Sequence, residues 1–170
     1  MSRRMDYVID LDKPAEALYE SFTSRQYWDD LITIHEANAL TEIVEFSHDE
    51  NGTDIEFTHT MSRHNLPPIA SAVVPIKIVV TRKQHFDAFN PESRSAKGHY
   101  CALVPAAPLD FNGNYVLGQT ATGSELRLNS LCTVKVPLIG GKIEQLILEG
   151  LRHLFDAERD FTRDWIASHY

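Results

Sequence analysis

Three residues of this sequence could act as an acid or a base, and they lie far apart in the chain. Glu158 interrupts the apolar stripe of a long C-terminal helix pattern, His59 lies on the apolar side of an alternating strand pattern, and Tyr100 lies in another such segment. A carboxylate on an apolar face is costly to bury unless it has a partner or water. Acid–base catalysis would require at least two of these groups within about 3 Å of one ligand atom, directly or through one water.

The charged candidates also have structural explanations. Glu158 could form a salt bridge at a cavity rim, with Arg159 or Arg163 nearby in sequence. Arg82 shares the inward face of its strand, so it could meet Glu158 or bind a ligand carboxylate through its planar guanidinium. A solvated arginine near a sheet edge and a hydrogen-bonded core histidine at His59 are the alternatives that require no ligand.

Small residues indicate where space could exist. Ala96, Gly98, Tyr100 and Ala102 alternate along one strand pattern, so small side chains share a face with a phenol. Gly150 falls on the apolar stripe of the C-terminal helix, where glycine costs about 1 kcal/mol relative to alanine. Both features fit either the wall of a cavity or close packing of neighbouring elements.

Familiar motifs for metals and phosphates are not matched. The segment GGK would need glycine and a hydroxyl residue where Val136 and Ile143 stand, so it is not a phosphate-binding loop. His48, Asp49 and Glu50 lie at a hairpin tip, where neighbouring side chains point apart and do not enclose a metal. We expect no metal and no cofactor, and no nucleophile elbow is present.

The elements that must position these residues follow from hydrophobic periodicity. Residues 5–11 alternate as in a strand, and Pro14 begins the first of two short helices. Asn51-Gly52 predicts a tight hairpin. The remaining strands are predicted at 40–48, 53–62, 76–86, 96–104, 111–120 and 124–136, and a helix at 142–169. That helix would be about 42 Å long, enough to cross a sheet, and the order of elements predicts an α+β fold.

This order of elements, with the segment VKVPLIGGKIE leading into the long helix, resembles the START-related helix-grip superfamily of SRPBCC type. That superfamily includes polyketide cyclases, lipid-transfer domains and plant hormone receptors, and the resemblance is closest to an uncharacterised bacterial branch. It implies a single domain over residues 1–170, with a seven-stranded antiparallel curved sheet wrapped around the C-terminal helix. It also implies a cavity for an apolar ligand between sheet and helix.

Composition restricts the partners. A net charge of -8 disfavours a nucleic-acid backbone as partner. The sequence shows no signal peptide and no apolar run long enough to span a membrane, so we expect a cytoplasmic protein. Cys101 and Cys132 lie in strand patterns without metal-type spacing, which favours buried, reduced thiols.

The segment 63–75 is too apolar for a free loop, and its prolines argue against a central strand. We expect it to cover part of the molecule. It could gate a cavity, pack on a small cluster of its own, or form a contact in a homodimer.

Three hypotheses of function stay open. The first is a noncatalytic binding or carrier protein for a small hydrophobic ligand, lipid- or polyketide-like, in a cavity of roughly 300–1,000 Å³. The second is a polyketide cyclase- or aromatase-like enzyme that uses Glu158, His59 or Tyr100. The third is a dimerising interaction module. The residues expected to line the cavity are Phe57, His59, Met61, Arg82, Gly98, Tyr100, Gly150, Leu154, Glu158 and Phe161.

Overall fold

The computed structural model describes residues 2–37 and 39–170, which form seven strands, four α-helices and two single turns of 3-10 helix. The strands are β1 (Ser2–Leu11), β2 (Leu40–Asp49), β3 (Gly52–Ser62), β4 (Lys77–Asp87), β5 (Ser95–Leu103), β6 (Leu109–Gln119) and β7 (Ser124–Val134). The α-helices are α1 (Ala15–Phe22), α2 (Arg25–Ile32), α3 (Pro68–Ser71) and α4 (Gly140–His169). The 3-10 turns are Thr33–His35 and Arg63–Asn65.

The strands form one antiparallel sheet in the order β1-β7-β6-β5-β4-β3-β2. Strands β2 to β7 pair with one another in chain order. Strand β1 pairs with β7 and forms the edge of the sheet opposite β2. The predicted Asn51-Gly52 hairpin is confirmed, with Asp49 paired to Gly52. Gly52 has φ +136°, and a side chain there would collide with the carbonyl oxygen of Phe86. The helix-grip prediction, an α+β fold with a curved seven-stranded sheet and a long C-terminal helix, is confirmed.

Helix α4 has 30 residues and would be about 45 Å long. Its side towards the sheet buries Ile143, Leu148, Phe155 and Ile166 at helical spacing. Glu144 is also fully buried, and its Oε1 accepts a hydrogen bond from the backbone N–H of Val134 at 2.9 Å. This bond joins the end of β7 to the first turns of α4.

Gly150 does not lie on that buried side. It is exposed to solvent, and no described atom lies within 4 Å of the position a Cβ would occupy. The interpretation of Gly150 as a marker of space inside the molecule is therefore wrong. The buried stripe runs through Ile143, Glu144, Leu148 and Phe155, which turns position 150 outwards.

The core between sheet and helices is rich in stacked aromatic rings. The ring of Phe86 stacks on Phe22 of α1 at 4.5 Å and on Tyr115 of β6 at 4.7 Å between centroids. Tyr27 of α2 packs edge-on against Trp28 at 5.0 Å and against Trp165 at 5.3 Å. Helices α1 and α2 thus cover the core beside α4.

The segment 63–75 contains a 3-10 turn and the short helix α3. Ala70 is buried, and Leu66, Ile69 and Val73 pack against the core, so the segment covers apolar surface as expected. Its role as a gate or as a dimer contact stays a prediction. Ile76, predicted as the first residue of a strand, lies outside β4 and is 65% exposed.

Both cysteines are free thiols, Cys132 buried and Cys101 half-buried. No helix in the described part of the chain is both long and apolar enough to cross a membrane.

Candidate functional site

A small cavity lies between the sheet and helices α1, α2 and α4. Its volume is about 40 Å³, room for a few water molecules and well below an ordinary ligand site. The side chains around it are mostly aromatic or branched apolar, with a few polar groups. They are Ile9, Leu18, Phe22, Tyr27, Trp28, Leu31, Gln84, Phe86, Tyr115, Leu126, Leu128, Phe155, Glu158 and Thr162.

Glu158 supplies the charged group on this wall and is paired with Arg82 of β4. Nη1 of Arg82 donates to Oε1 of Glu158 at 2.8 Å, and Nη2 lies 3.5 Å from Oε2. The two side chains are only 14% and 16% exposed, respectively. The guanidinium of Arg82 also lies 4.7 Å from the centre of the Phe57 ring, within range of a cation–π contact. The pair is thus largely buried and is held by an aromatic ring.

The ion pair is charged over the whole neutral range. Burial alone would raise the pKa of Glu158, but attraction to Arg82, the hydrogen bond from Arg82 and the close approach of His35 outweigh it and lower this pKa to about 2. Burial likewise opposes the charged form of Arg82, yet attraction to Glu158 leaves the pKa of Arg82 raised. Glu158 is therefore a carboxylate that holds a proton poorly.

Two histidines lie beside the pair. Nε2 of His35 lies 3.3 Å from Oε1 of Glu158, and the ring of His35 meets the ring of His59 edge-on at 5.2 Å. Nδ1 of His59 is hydrogen-bonded to the hydroxyl of Thr41 at 2.9 Å. Burial, and then repulsion from Arg82 and His35, lower the pKa of His59 to about 3. His59 is therefore neutral at physiological pH.

Buried hydroxyl groups complete the network. Thr162 donates to the backbone carbonyl of Glu158 at 2.6 Å and lies 2.8 Å from the hydroxyl of Tyr27. The Tyr115 hydroxyl donates to Oε1 of Gln84. Burial raises the pKa values of Tyr27 and Tyr115. These phenols therefore stay protonated and act as hydrogen-bonding groups.

The structure separates the ten residues predicted to line the cavity. Glu158 lies on the wall and contacts Arg82, which lies over the ring of Phe57, and His35 lies between Glu158 and His59. The nine residues other than Glu158 are not among the described residues that line the cavity.

The remaining six predicted residues lie elsewhere. Tyr100 is buried but bonds Ser130 at 2.7 Å, and burial raises its pKa to about 12. Gly98 faces β4, where a side chain would collide with the carbonyl of His85. Phe161 packs on Tyr27 at 5.7 Å. The other three are Met61 and Leu154, which are half-buried, and Gly150, which is exposed. For the five residues other than Gly150, a part in ligand binding stays a prediction.

Sequence reasoning missed most of the cavity wall. The wall draws on α1 and α2, whose residues Leu18, Phe22, Tyr27, Trp28 and Leu31 were not among those predicted to line a cavity. The helical spacing of those residues was the available signal. His35 gave no such signal, because it lies in a 3-10 turn whose direction depends on the elements around it.

The arrangement suits binding better than proton transfer. An efficient general acid or base has a pKa near the working pH, whereas Glu158 and His59 have pKa values of about 2 and 3 and Tyr100 of about 12. Among the residues that the structure describes, no group of histidine, cysteine and carboxylate side chains is placed to hold a metal.

Comparison with known proteins gives a family and a fold. A family model described as "Protein of unknown function (DUF2505)" matches residues 6–166. An uncharacterized protein of Mycobacterium tuberculosis is 27% identical over 174 residues, covering 99% of both chains.

Among solved structures, the Zhui aromatase/cyclase from a Streptomyces species is similar with a TM-score of 0.62 and 11% identity, over 98% of this chain and 94% of the other. Norcoclaurine synthase from Thalictrum flavum in complex with dopamine and hydroxybenzaldehyde is similar with a TM-score of 0.60 and 14% identity, over 100% and 89%. At these identities the likeness concerns the fold.

Proposed function

The chain belongs to the DUF2505 family of proteins of unknown function, and we propose that it binds a small, largely apolar molecule between its sheet and α4 without changing it chemically. The observation that carries this proposal is the cavity itself. Aromatic and branched apolar side chains surround it, and a single buried carboxylate stands on its wall. Such a combination, an apolar lining with a few oriented polar groups, is typical of small-molecule sites.

The ligand proposed here is aromatic or similarly flat. Rings of Phe22, Tyr27, Trp28, Phe86 and Tyr115 line the cavity and offer faces and edges to another ring. The norcoclaurine synthase structure, which has this fold, holds dopamine and hydroxybenzaldehyde, both single-ring aromatics. A cytoplasmic carrier of such a compound is the form of the proposal that fits the sequence best.

Binding by this proposal requires the cavity to widen. At about 40 Å³ it is smaller than a single aromatic ring, so an element of the wall must move. Helix α2 is the proposed element, because it contributes Tyr27, Trp28 and Leu31 to the wall, and two side-chain links to α4 would have to break for it to move. These links are the Tyr27–Thr162 bond of 2.8 Å and the Trp165–Asp30 bond of 3.1 Å.

The enzyme hypothesis receives less support from the same geometry. It requires two acid–base groups at one ligand position, yet Tyr100 is bonded to Ser130 and His59 to Thr41. Glu158 is the member of the three that lines the cavity, and its attraction to Arg82 leaves it a weak base.

The direct test is mass spectrometry of small molecules released from protein purified under native conditions. We expect an apolar compound in stoichiometric amount, or a thermal shift with members of a panel of aromatic and lipid-like compounds. A ligand at 100 times its dissociation constant stabilises the folded state by about 2.7 kcal/mol. Absence of both a co-purified compound and any stabilisation across the panel would contradict the proposal.

Hydrogen exchange on the protein with and without a stabilising compound tests the widening. Backbone amides of α2 should change their exchange rates more than those of the β6–β7 hairpin, which lies inside the sheet. Equal changes in both elements would mean that α2 is not the element that moves.

A further inference from the structure

The polar groups on the cavity wall differ in the hydrogen bonds that they can still form with a ligand. Thr162 uses its proton on the carbonyl of Glu158, so the Tyr27 hydroxyl donates to Thr162. Tyr115 uses its proton on Gln84. Both phenol protons facing the cavity are therefore committed to protein groups, and what these hydroxyls still offer a ligand is oxygen lone pairs.

The amide nitrogen of Gln84 is the exception on this wall. Gln84 is only 5% exposed and lines the cavity. Its Oε1 accepts from Tyr115, whereas its Nε2 has no acceptor among the residues that the structure describes. The described polar atoms that are fully buried without a partner do not include Nε2 of Gln84, so this N–H group is accessible and a ligand atom can accept from it.

Among the described residues that line the cavity, the charged one is acidic. This residue is Glu158, and Oε2 of Glu158 has only the long 3.5 Å contact with Arg82. Arg82 is not among the described residues on the wall, because its guanidinium lies over the ring of Phe57 and is occupied by Glu158. The role considered for Arg82 from sequence, receiving a ligand carboxylate, therefore conflicts with its position.

Resting on the ligand-binding function proposed above, we propose that this cavity selects apolar molecules that carry a hydroxyl or amine group and rejects carboxylates. A ligand hydroxyl can donate to Oε2 of Glu158 and accept from Nε2 of Gln84. A ligand amine can donate to Glu158 and to the phenol oxygens. A ligand carboxylate would bring a second negative charge beside Glu158 and would find one N–H donor. The ligand class is thus phenols, alcohols and amines rather than free fatty or aromatic acids.

The state of Glu158 supports this selection at neutral pH. Although burial opposes its charge, Arg82 holds the pKa of Glu158 at about 2, so the carboxylate does not take up a proton to admit a second anion. Charge-assisted hydrogen bonds are about twice as strong as neutral ones, which makes the donor on the ligand the decisive group.

The test uses one ring system with different polar groups on the intact protein at pH 7. The probes are naphthalene, 2-naphthol, 2-naphthylmethylamine and 2-naphthoate, titrated by NMR chemical shifts or calorimetry. We expect 2-naphthol or the amine to bind at least tenfold more tightly than 2-naphthoate, a difference of about 1.4 kcal/mol. Naphthoate binding as tightly as naphthol would overturn the selection while leaving the ligand-binding function in place. Failure of all four probes, naphthalene included, would instead contradict the binding function itself.

Two variants identify the responsible group. Glu158→Gln removes the negative charge at nearly constant shape, and we expect the preference for naphthol and the amine over naphthoate to fall below about threefold. Ser21→Ala is the matched control, because it removes a buried hydroxyl that donates to the backbone carbonyl of Ala17 and does not line the cavity. It should leave the ranking unchanged. An unchanged ranking of the probes in Glu158→Gln would exclude Glu158 as the cause of the selection. If that variant does not fold, the ranking of the four probes in the unaltered protein still tests whether the cavity rejects carboxylates.

Discussion

Replacing one member of the Arg82–Glu158 pair should destabilise the fold far more than replacing both. The two side chains are 14% and 16% exposed and meet at 2.8 Å, so each is a mostly buried charge that depends on the other. Removing one partner of such a pair costs about 3–5 kcal/mol, because it leaves an uncompensated charge in the core. Arg82→Met removes the arginine from the Glu158 carboxylate. Nε2 of His35, at 3.3 Å from Oε1, is then the remaining nitrogen in ion-pair range among the described residues.

The size of the effect makes it easy to measure. For a chain of this length, each kcal/mol lowers the melting temperature by roughly 2–4 °C, so each single variant should lose roughly 6–20 °C. The double variant Arg82→Met/Glu158→Met replaces both charges by apolar side chains. It should be more stable than the sum of the single losses predicts, by about 2–3 kcal/mol.

The assay is urea unfolding of the unaltered protein, both single variants and the double variant at pH 7. The exposed pair of Arg94 and Glu16 is a matched control, because it has the same 2.8 Å contact but side chains that are 45% and 37% exposed. Its cycle should give a much smaller coupling than that of the Arg82–Glu158 pair, because solvent screens the charges of an exposed pair. The reasoning is refuted if the Arg82–Glu158 cycle is additive and each single loss stays below about 1 kcal/mol.

Three further predictions follow from burial and charge. Gly150→Ala should stabilise by about 0.5–1 kcal/mol in urea unfolding, because Gly150 lies exposed within α4 and its added methyl meets no described atom. Phe155→Ala should cost about 3–5 kcal/mol by the same measurement, because Phe155 is 4% exposed and lines the cavity. Acid should destabilise the folded state. Burial lowers the pKa of His59 from 6.5 to about 3, so the unfolded chain takes up a proton at a higher pH than the folded protein does. The contribution of neutral His59 to stability is therefore full above pH 6.5 and is lost as the pH falls towards 3. Glu158, with a pKa lowered from 4.5 to about 2, adds a second loss below pH 4.5.

Each of these predictions has a control. Gly140→Ala should destabilise, because its added methyl would collide with the carbonyl oxygen of Val134. A stabilised Gly140→Ala or a destabilised Gly150→Ala would contradict the placement of these glycines. A Phe155→Ala loss below about 1 kcal/mol would mean that the core collapses to fill the space. For the pH series, the free energy of unfolding of His59→Gln should fall less than that of the unaltered protein between pH 6.5 and 4. The two slopes of this free energy against pH should differ by up to about 1.4 kcal/mol per pH unit.

The fold could be predicted from sequence because its signals are local. Alternation at residues 5–11, the Asn51-Gly52 hairpin and the long apolar stripe of α4 each report on neighbours within a few residues. Strand parity placed His59 and Arg82 on the inner face, and the structure has both there beside Glu158. The predicted boundaries differ from the observed ones by up to three residues, as at the start of β1, which begins at Ser2, and at the start of α4, where two glycines already belong to the helix.

The cavity could not be predicted to the same extent, because it depends on contacts between distant elements. Helical spacing placed Gly150 on an apolar stripe, but the angle at which α4 packs on the sheet turned that position to solvent. The same packing brought α1 and α2 over the sheet, so the wall includes residues such as Trp28 that were not predicted to line a cavity.

The sequence by itself determined the order of the strands along the chain, the inner faces of the strands that contain His59, Arg82 and Tyr100, and the presence of Glu158 on the apolar side of the C-terminal helix. Periodicity carries this information, because side-chain direction repeats every two residues in a strand and every 3.6 in a helix. Only the tertiary structure decided that Arg82 neutralises Glu158, that His35 joins them, and that Gln84 keeps an unpaired N–H at the cavity. Those outcomes depend on contacts between residues far apart in the sequence, which no local pattern encodes. Arg82 and Glu158 are separated by 76 positions, His35 and Glu158 by 123, and Gln84 and Tyr115 by 31.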